Sequence, residues 1–191
     1  SIVGMSITLS GLSHEYAADL DFLIVHPNGQ RGYVFWSDVG GTASFSSVNV
    51  TLSDNAGSHL PPMGPGSPGG AAITSGSYRP TDRNQEQDSF AGYTGNAISS
   101  GSAESPGATF AGVFGGMSAN GTWTLYISDD TYRHVGSLDE WSITFTFAAA
   151  QTLDLNGAAS GNDATAVFVR QAPAPIAPQA VVTDTGFKAH T

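Results

Sequence analysis

The sequence predicts an all-β protein, an antiparallel jelly-roll-like β-sandwich followed by an extended C-terminal tail. Three observations carry this. Apolar and polar residues alternate with period two in several separate runs, which is the pattern of a half-buried strand. The runs are divided by stretches rich in Gly, Pro, Asn and Ser, in a chain of 191 residues holding 24 Gly and 10 Pro. No apolar stripe at helical spacing is present, so βαβ crossovers have no helices to use and two packed sheets remain.

The elements follow in order. Met5, Ile7 and Leu9 alternate with Ser6, Thr8 and Ser10, giving a strand with one wet face, and Gly11 to Ala18 reads as a loop. The organising element is Ala18 to Gly41, where two apolar runs flank Pro27-Asn28-Gly29-Gln30. Asn-Gly is a strong hairpin signal because both central residues of a type I′ turn need φ > 0. With Asn28 and Gly29 at the centre, Ile24 faces Tyr33, Phe22 faces Phe35 and Asp19 faces Asp38. Leu20, Phe22 and Ile24 on one face and Leu23 and Val25 on the other make this a central strand covered on both sides. Val48, Val50 and Leu52 form another half-buried strand. From Ser53 to about Gly107 the Gly/Pro-rich sequence reads as one long loop. Regular structure resumes at Thr109 to Phe114. After an Asn120-Gly121 turn, Trp123, Leu125 and Ile127 alternate with polar residues, as do Trp141, Ile143, Phe145 and Phe147. Their aromatics are expected in the core, while Trp36 lies on the other face of the hairpin, open to a surface role such as stacking on a sugar.

Composition excludes several functions. Six Lys and Arg stand against 16 Asp and Glu, a net charge of −10, so nothing neutralises a phosphate backbone or an anionic membrane. There is no Cys, hence neither a disulfide nor thiolate chemistry. No run of 18 apolar residues exists to span a membrane. The chain opens on Ser1-Ile2-Val3-Gly4, inside a strand-like run without an initiator Met, and reads as a mature, processed product or a trimmed piece of a longer chain. The five histidines are scattered rather than set at zinc-ligand spacing, and no G-x-S-x-G elbow supports a hydrolase.

Like charges directly opposite each other in a hairpin repel, so Asp19, Asp21 and Asp38 call for a cation. Asp129 and Asp130 end the Trp123 strand. If that strand runs antiparallel to Leu20–Val25, they join the same corner. Carboxylates with loop carbonyls suit Ca²⁺, a hard cation of flexible coordination, better than Mg²⁺. The competing reading is that these aspartates accept backbone N–H bonds in turns.

HEYAADLDFLIVHPNGQ, FWSDVGG, SGSYRPTD, NGTWTLYISDD and GSLDEWSITF, in that order, resemble the P domain of kexin/furin-type proprotein convertases, nearest to the bacterial secreted versions. The resemblance spans roughly Ser1 to Phe147. It implies a galactose-binding-like jelly-roll sandwich that stabilises a neighbouring protease, and a calcium-binding relative in some cases. The subtilisin Asp/His/Ser motifs do not occur in the 191 residues. Bacterial members carry a further strand upstream of the one beginning here, so the sandwich is expected to lack its first strand.

Two segments are therefore expected: residues 1–150 as the sandwich and 151–191 as an extension outside the family pattern. The extension holds a strand-like TAVFVR run, a Pro/Ala linker of polyproline type and Val181-Val182. An incomplete sandwich with spare β-prone chain invites strand addition. If the donor is a second copy, the head-to-tail contact does not close and gives a filament. The sequence-level expectation is a non-enzymatic extracellular protein that binds Ca²⁺ through Asp19, Asp21, Asp38, Asp129 and Asp130. It assembles with copies of itself through Val167, Phe168, Val169, Val181, Val182 and Phe187. The alternative is an accessory module of a secreted protease or hydrolase that stabilises the enzyme or binds its substrate, a carbohydrate included.

Overall fold

The computed structural model describes residues 1–63, 70–84, 88–149, 152–154 and 181–183. In chain order, β1 (Ile2–His14) leads through a 3-10 turn at Ala17–Asp19 into β2 (Leu20–Val25), β3 (Arg31–Ser37) and β4 (Phe45–Ser53). Three short strands follow: β5 (Gly76–Tyr78), β6 (Thr81–Asp82) and β7 (Asn96–Ser99). Helix α1 (Phe110–Phe114) precedes β8 (Thr124–Asp129), β9 (Gly136–Ser137) and β10 (Glu140–Phe147). Residues 1–147 form one unit and 148–191 a second.

The first unit is a two-sheet sandwich. One sheet has the order β10-β1-β4-β5, with β9 paired to the end of β1, and the other has the order β6-β3-β2-β8, with β7 paired to β3. Alternation in β1 sets the register: Ile7 lies between Ile143 and Leu52, and Leu9 between Trp141 and Val50. The inner faces meet in a core of Ile7, Leu9, Phe22, Ile24, Phe35 and Trp36, among others. The all-β sandwich expected from the alternation is what forms.

Several local readings are corrected. The 53–107 stretch is not one loop. It supplies β5, β6 and β7, and these pair in parallel with β4 and β3, so both sheets are mixed rather than antiparallel. Their segments of two to four residues are too short to show periodicity. The Gly11–Ala18 loop is shorter, because β1 runs on to His14. The regular structure that resumes at Thr109 is a short helix, Phe110–Phe114, with Thr109 as its N-cap. The Thr109 hydroxyl accepts from the Gly112 amide at 3.0 Å, and the Asp54 carboxylate accepts from the Phe110 and Ala111 amides, each at 2.9 Å. This double cap, from a residue 56 positions upstream, has no local sequence signature. Asp54→Ala is expected to lower stability by about 2 kcal/mol, or about 4–8 °C in melting temperature, in a thermal melt.

The hairpin turn also differs. His26 donates its amide to the Arg31 carbonyl and accepts from the Gly29 amide, both at 2.9 Å. Pro27 and Asn28 therefore form the turn centre, and only Gly29, at φ 71°, takes the left-handed region. Proline favours the first central position of a type I turn, and the Asn28 side chain accepts from the Gln30 amide at 3.0 Å. Ile24 faces Tyr33 as expected, but a bulge then pairs Phe22 with Trp36 instead of Phe35. The extra residue lets both aromatics enter the core, where the Phe22 ring lies 5.9 Å from Phe35 and 5.5 Å from Trp36. Trp36 is thus fully buried, which removes its surface role.

In the second unit, β11 (Thr152–Asp154) pairs antiparallel with β12 (Val181–Thr183), Leu153 opposite Val182 and Asp154 opposite Val181. Val167, Phe168, Val169 and Phe187 lie outside the described residues.

Candidate metal centre

The side chains of β2 divide between two environments. Leu20, Phe22 and Ile24 enter the core between the sheets, whereas Leu23 and Val25 lie under a cover made by Phe90, Tyr93, Ala97 and Tyr126. Asp21 shares this outer face. Phe90 packs with Leu23 and Val34, and anchoring it there delivers Asp88, two residues earlier, to Asp21. The bulge in β3 carries Ser37 and Asp38 to the same place. Asp38 adopts φ 54°, a left-handed conformation that Asp tolerates better than most residues, and it is hydrogen-bonded to the Ser37 hydroxyl at 3.1 Å.

One carboxylate oxygen each from Asp21, Asp38 and Asp88 lie within 4.8 Å of one another. Ca–O bonds of about 2.3–2.6 Å allow two ligating oxygens to stand up to about 5 Å apart, so one Ca²⁺ can reach all three. The electrostatics are one-sided. Burial is the largest influence on Asp21, and the charges acting on it are those of Asp88, Asp130 and Asp38, pushing its pKa up to about 8. Asp88 is pushed up to about 6 by burial and by the charges of Asp82, Asp38 and Asp130. The Ser37 hydroxyl opposes both shifts only in part. In addition, Oδ2 of Asp88 is buried without a hydrogen-bond partner. Acceptor oxygens turned toward each other, one of them unsatisfied, fit a hard divalent cation.

Of the five aspartates singled out in the sequence, Asp21 and Asp38 come together here, and Asp130 contributes its charge from the end of β8. The antiparallel pairing that brings it there is present: Leu20 faces Asp129, and the Asp130 amide donates to the Asp19 carbonyl at 3.0 Å. Asp19 and Asp129 sit elsewhere. Asp19 is buried and accepts from Nδ1 of His134 at 2.6 Å, with His134 stacked on Tyr16. Asp129 stands 3.4 Å from Nε2 of buried His14. Asp88, within the 53–107 stretch, is not one of those five aspartates.

The sign of the pH effect follows. In the metal-free protein Asp21 and Asp88 hold their protons in the folded state well above the ordinary carboxylate range, so the folded chain binds more protons than the unfolded one. Their contribution to stability then falls as pH rises from about 4 to about 8 and is level beyond. A divalent cation bound there would displace those protons, and its affinity would rise over the same window. Melts in chelator are expected to show a decline between pH 5 and pH 8 that is larger than in the Asp21→Asn variant. In excess Ca²⁺ that difference between the two proteins should vanish or invert.

No curated protein and no solved structure matches the chain. No helix among the described residues is long and apolar enough to cross a membrane. The P domain is a non-catalytic accessory domain of proprotein convertases. Residues 67–145, which run from the parallel strands through Asp88 to the end of the β-sandwich, match the proprotein convertase P-domain family, and over that span the resemblance read from the sequence is shown.

Proposed function

We propose that this chain is a non-enzymatic, secreted structural module whose P-domain-like sandwich is held by Ca²⁺ at Asp21, Asp38 and Asp88. In this reading it assembles with copies of itself through the segment that follows Phe147, forming an extracellular filament or matrix. One observation supports the assembly most. Among the described residues β8 and β10 are each the last strand of their sheet, paired on one side only, while 44 further residues follow as a separate unit. An open edge is a template for a strand from another chain. Unlike ends that meet head to tail propagate instead of closing.

Negative-stain electron microscopy of the purified chain in Ca²⁺ tests this. Filaments or sheets that dissolve into single particles when residues 165–191 are deleted are expected. Monomers at all concentrations would defeat it. The family match favours a second reading, an accessory module that stabilises a secreted protease or binds its substrate. A protease whose half-life at elevated temperature lengthens on adding this chain would support that reading instead.

A further inference from the structure

Of the sheet edges left unpaired among the described residues, β8 and β10 lie at the same side of the sandwich. At one end the slot between them is shut, with the rings of Trp123 and Phe145 5.2 Å apart. At the other end it is open. Ile127 is 48% exposed, and behind it lies a cavity of about 170 Å³ walled by Leu12, Leu20, Phe22 and Leu138, with Asp129 and His14 at its polar side. An apolar cavity of about 150 Å³ accommodates a benzene ring, so this one has the size of a Phe side chain. Leu125, Ile127 and Asp129 occupy alternate positions of β8 and share one face.

We propose that this slot receives residues 165–170 of a second copy as an added strand running parallel to β8. The proposal rests on the self-assembly reading and names its acceptor. Three points favour this occupant. In Thr165-Ala166-Val167-Phe168-Val169-Arg170, the residues Ala166, Phe168 and Arg170 share a face. Set parallel to β8, they fall beside Leu125, Ile127 and Asp129, so the ring meets the cavity and the guanidinium meets the carboxylate. Only Phe168 and Phe187 are aromatic after Phe147, and Arg170 is one of six basic residues in a chain of net charge −10, which makes this pairing of charges selective. Val181 and Val182 are already paired with β11 in their own chain, so the apolar run at 165–170 is the donor chosen.

The absence of cysteine allows a direct test. Full-length chain carrying Thr124→Cys is mixed with full-length chain carrying Thr165→Cys under mild oxidant. Thr124 is exposed at the start of β8, and in the parallel register the two positions are neighbours on the face away from the cavity. A disulfide-linked heterodimer is expected. Its yield should fall about tenfold or more with Phe168→Ala and recover with Phe168→Leu, since the loss of buried apolar area sets the affinity. Filaments without the mixed cross-link would overturn the slot and leave the assembly reading standing. A mixed cross-link without filaments would keep the slot as a pairwise contact and remove the filament. In a chain carrying both Thr124→Cys and Thr165→Cys, a cross-link found only within single chains would overturn the second copy as donor.

Discussion

Replacing Asp21 by Asn is expected to raise the melting temperature in chelator at pH 8 and to lower it in millimolar Ca²⁺. Without metal, a carboxyl group whose pKa is pushed up to about 8 is about half ionised at that pH, and its charge stands beside Asp38 and Asp88. An amide of the same shape relieves that repulsion, and a gain of a few degrees is expected. With metal, the variant loses one of three anionic ligands. An ion present at about 100 times its dissociation constant contributes about 2.7 kcal/mol, so much of that increment, about 5–10 °C for a chain of this size, should disappear. Asp88→Asn is expected to change sign in the same way with a smaller gain in chelator, because Asp88 is the less buried of the two. Asp19→Asn separates this site from the wider acidic corner. Its carboxylate is engaged by His134, so the variant should lose stability equally with and without calcium. If Asp21→Asn shifts the melt in the same direction in both buffers, the cation does not sit among these carboxylates.

That contrast reflects what was legible in the sequence. Alternation placed β1, β4, β8 and β10 because each exposes opposite faces to different surroundings, and period two records that difference directly, while the two apolar faces of β2 marked it as a central strand. The hairpin signalled the acidic crowd because repulsion between facing aspartates is a local fact. The choice among those aspartates was not local. Asp19 and Asp129 each found a histidine more than 100 residues away, and no spacing rule connects such partners. Asp88 arrived through packing: the outer face of β2 and β3, with Leu23, Val25 and Val34, needs an apolar cover, and Phe90 provides it. A signal for it did exist. A hairpin apolar on both faces demands a second layer, and Asp88-Ser89-Phe90 opens the most aromatic part of the stretch left unassigned. The bulge at Phe35 was hidden for another reason. Two consecutive aromatics destined for one core violate strict alternation, and only the three-dimensional volume between the sheets decides that both are admitted.

Removing residues 165–191 is expected to abolish self-assembly and leave the sandwich almost unchanged. Among the described residues, the core of the first unit is drawn from both sheets and α1 of residues 1–147, and all of it is retained in the truncated chain. The melting temperature should move by less than about 2 °C, consistent with a change outside the buried core. The calcium increment should persist, because Asp21, Asp38 and Asp88 are all retained. Sedimentation velocity would read the assembly, with a full-length boundary that grows faster with concentration and a truncated boundary that stays at the monomer value. A polymer bound through a strand also predicts capping. Truncated chain keeps the slot but has lost the donor, so adding it in excess to full-length chain should shorten filaments in proportion to the mixing ratio. Truncated chain that still polymerises, or that leaves filament length unchanged, would place the connecting contact within the sandwich itself. The apolar side of β8 and β10 would then be joined edge to edge, as unprotected sheet edges join when no charge or proline blocks them.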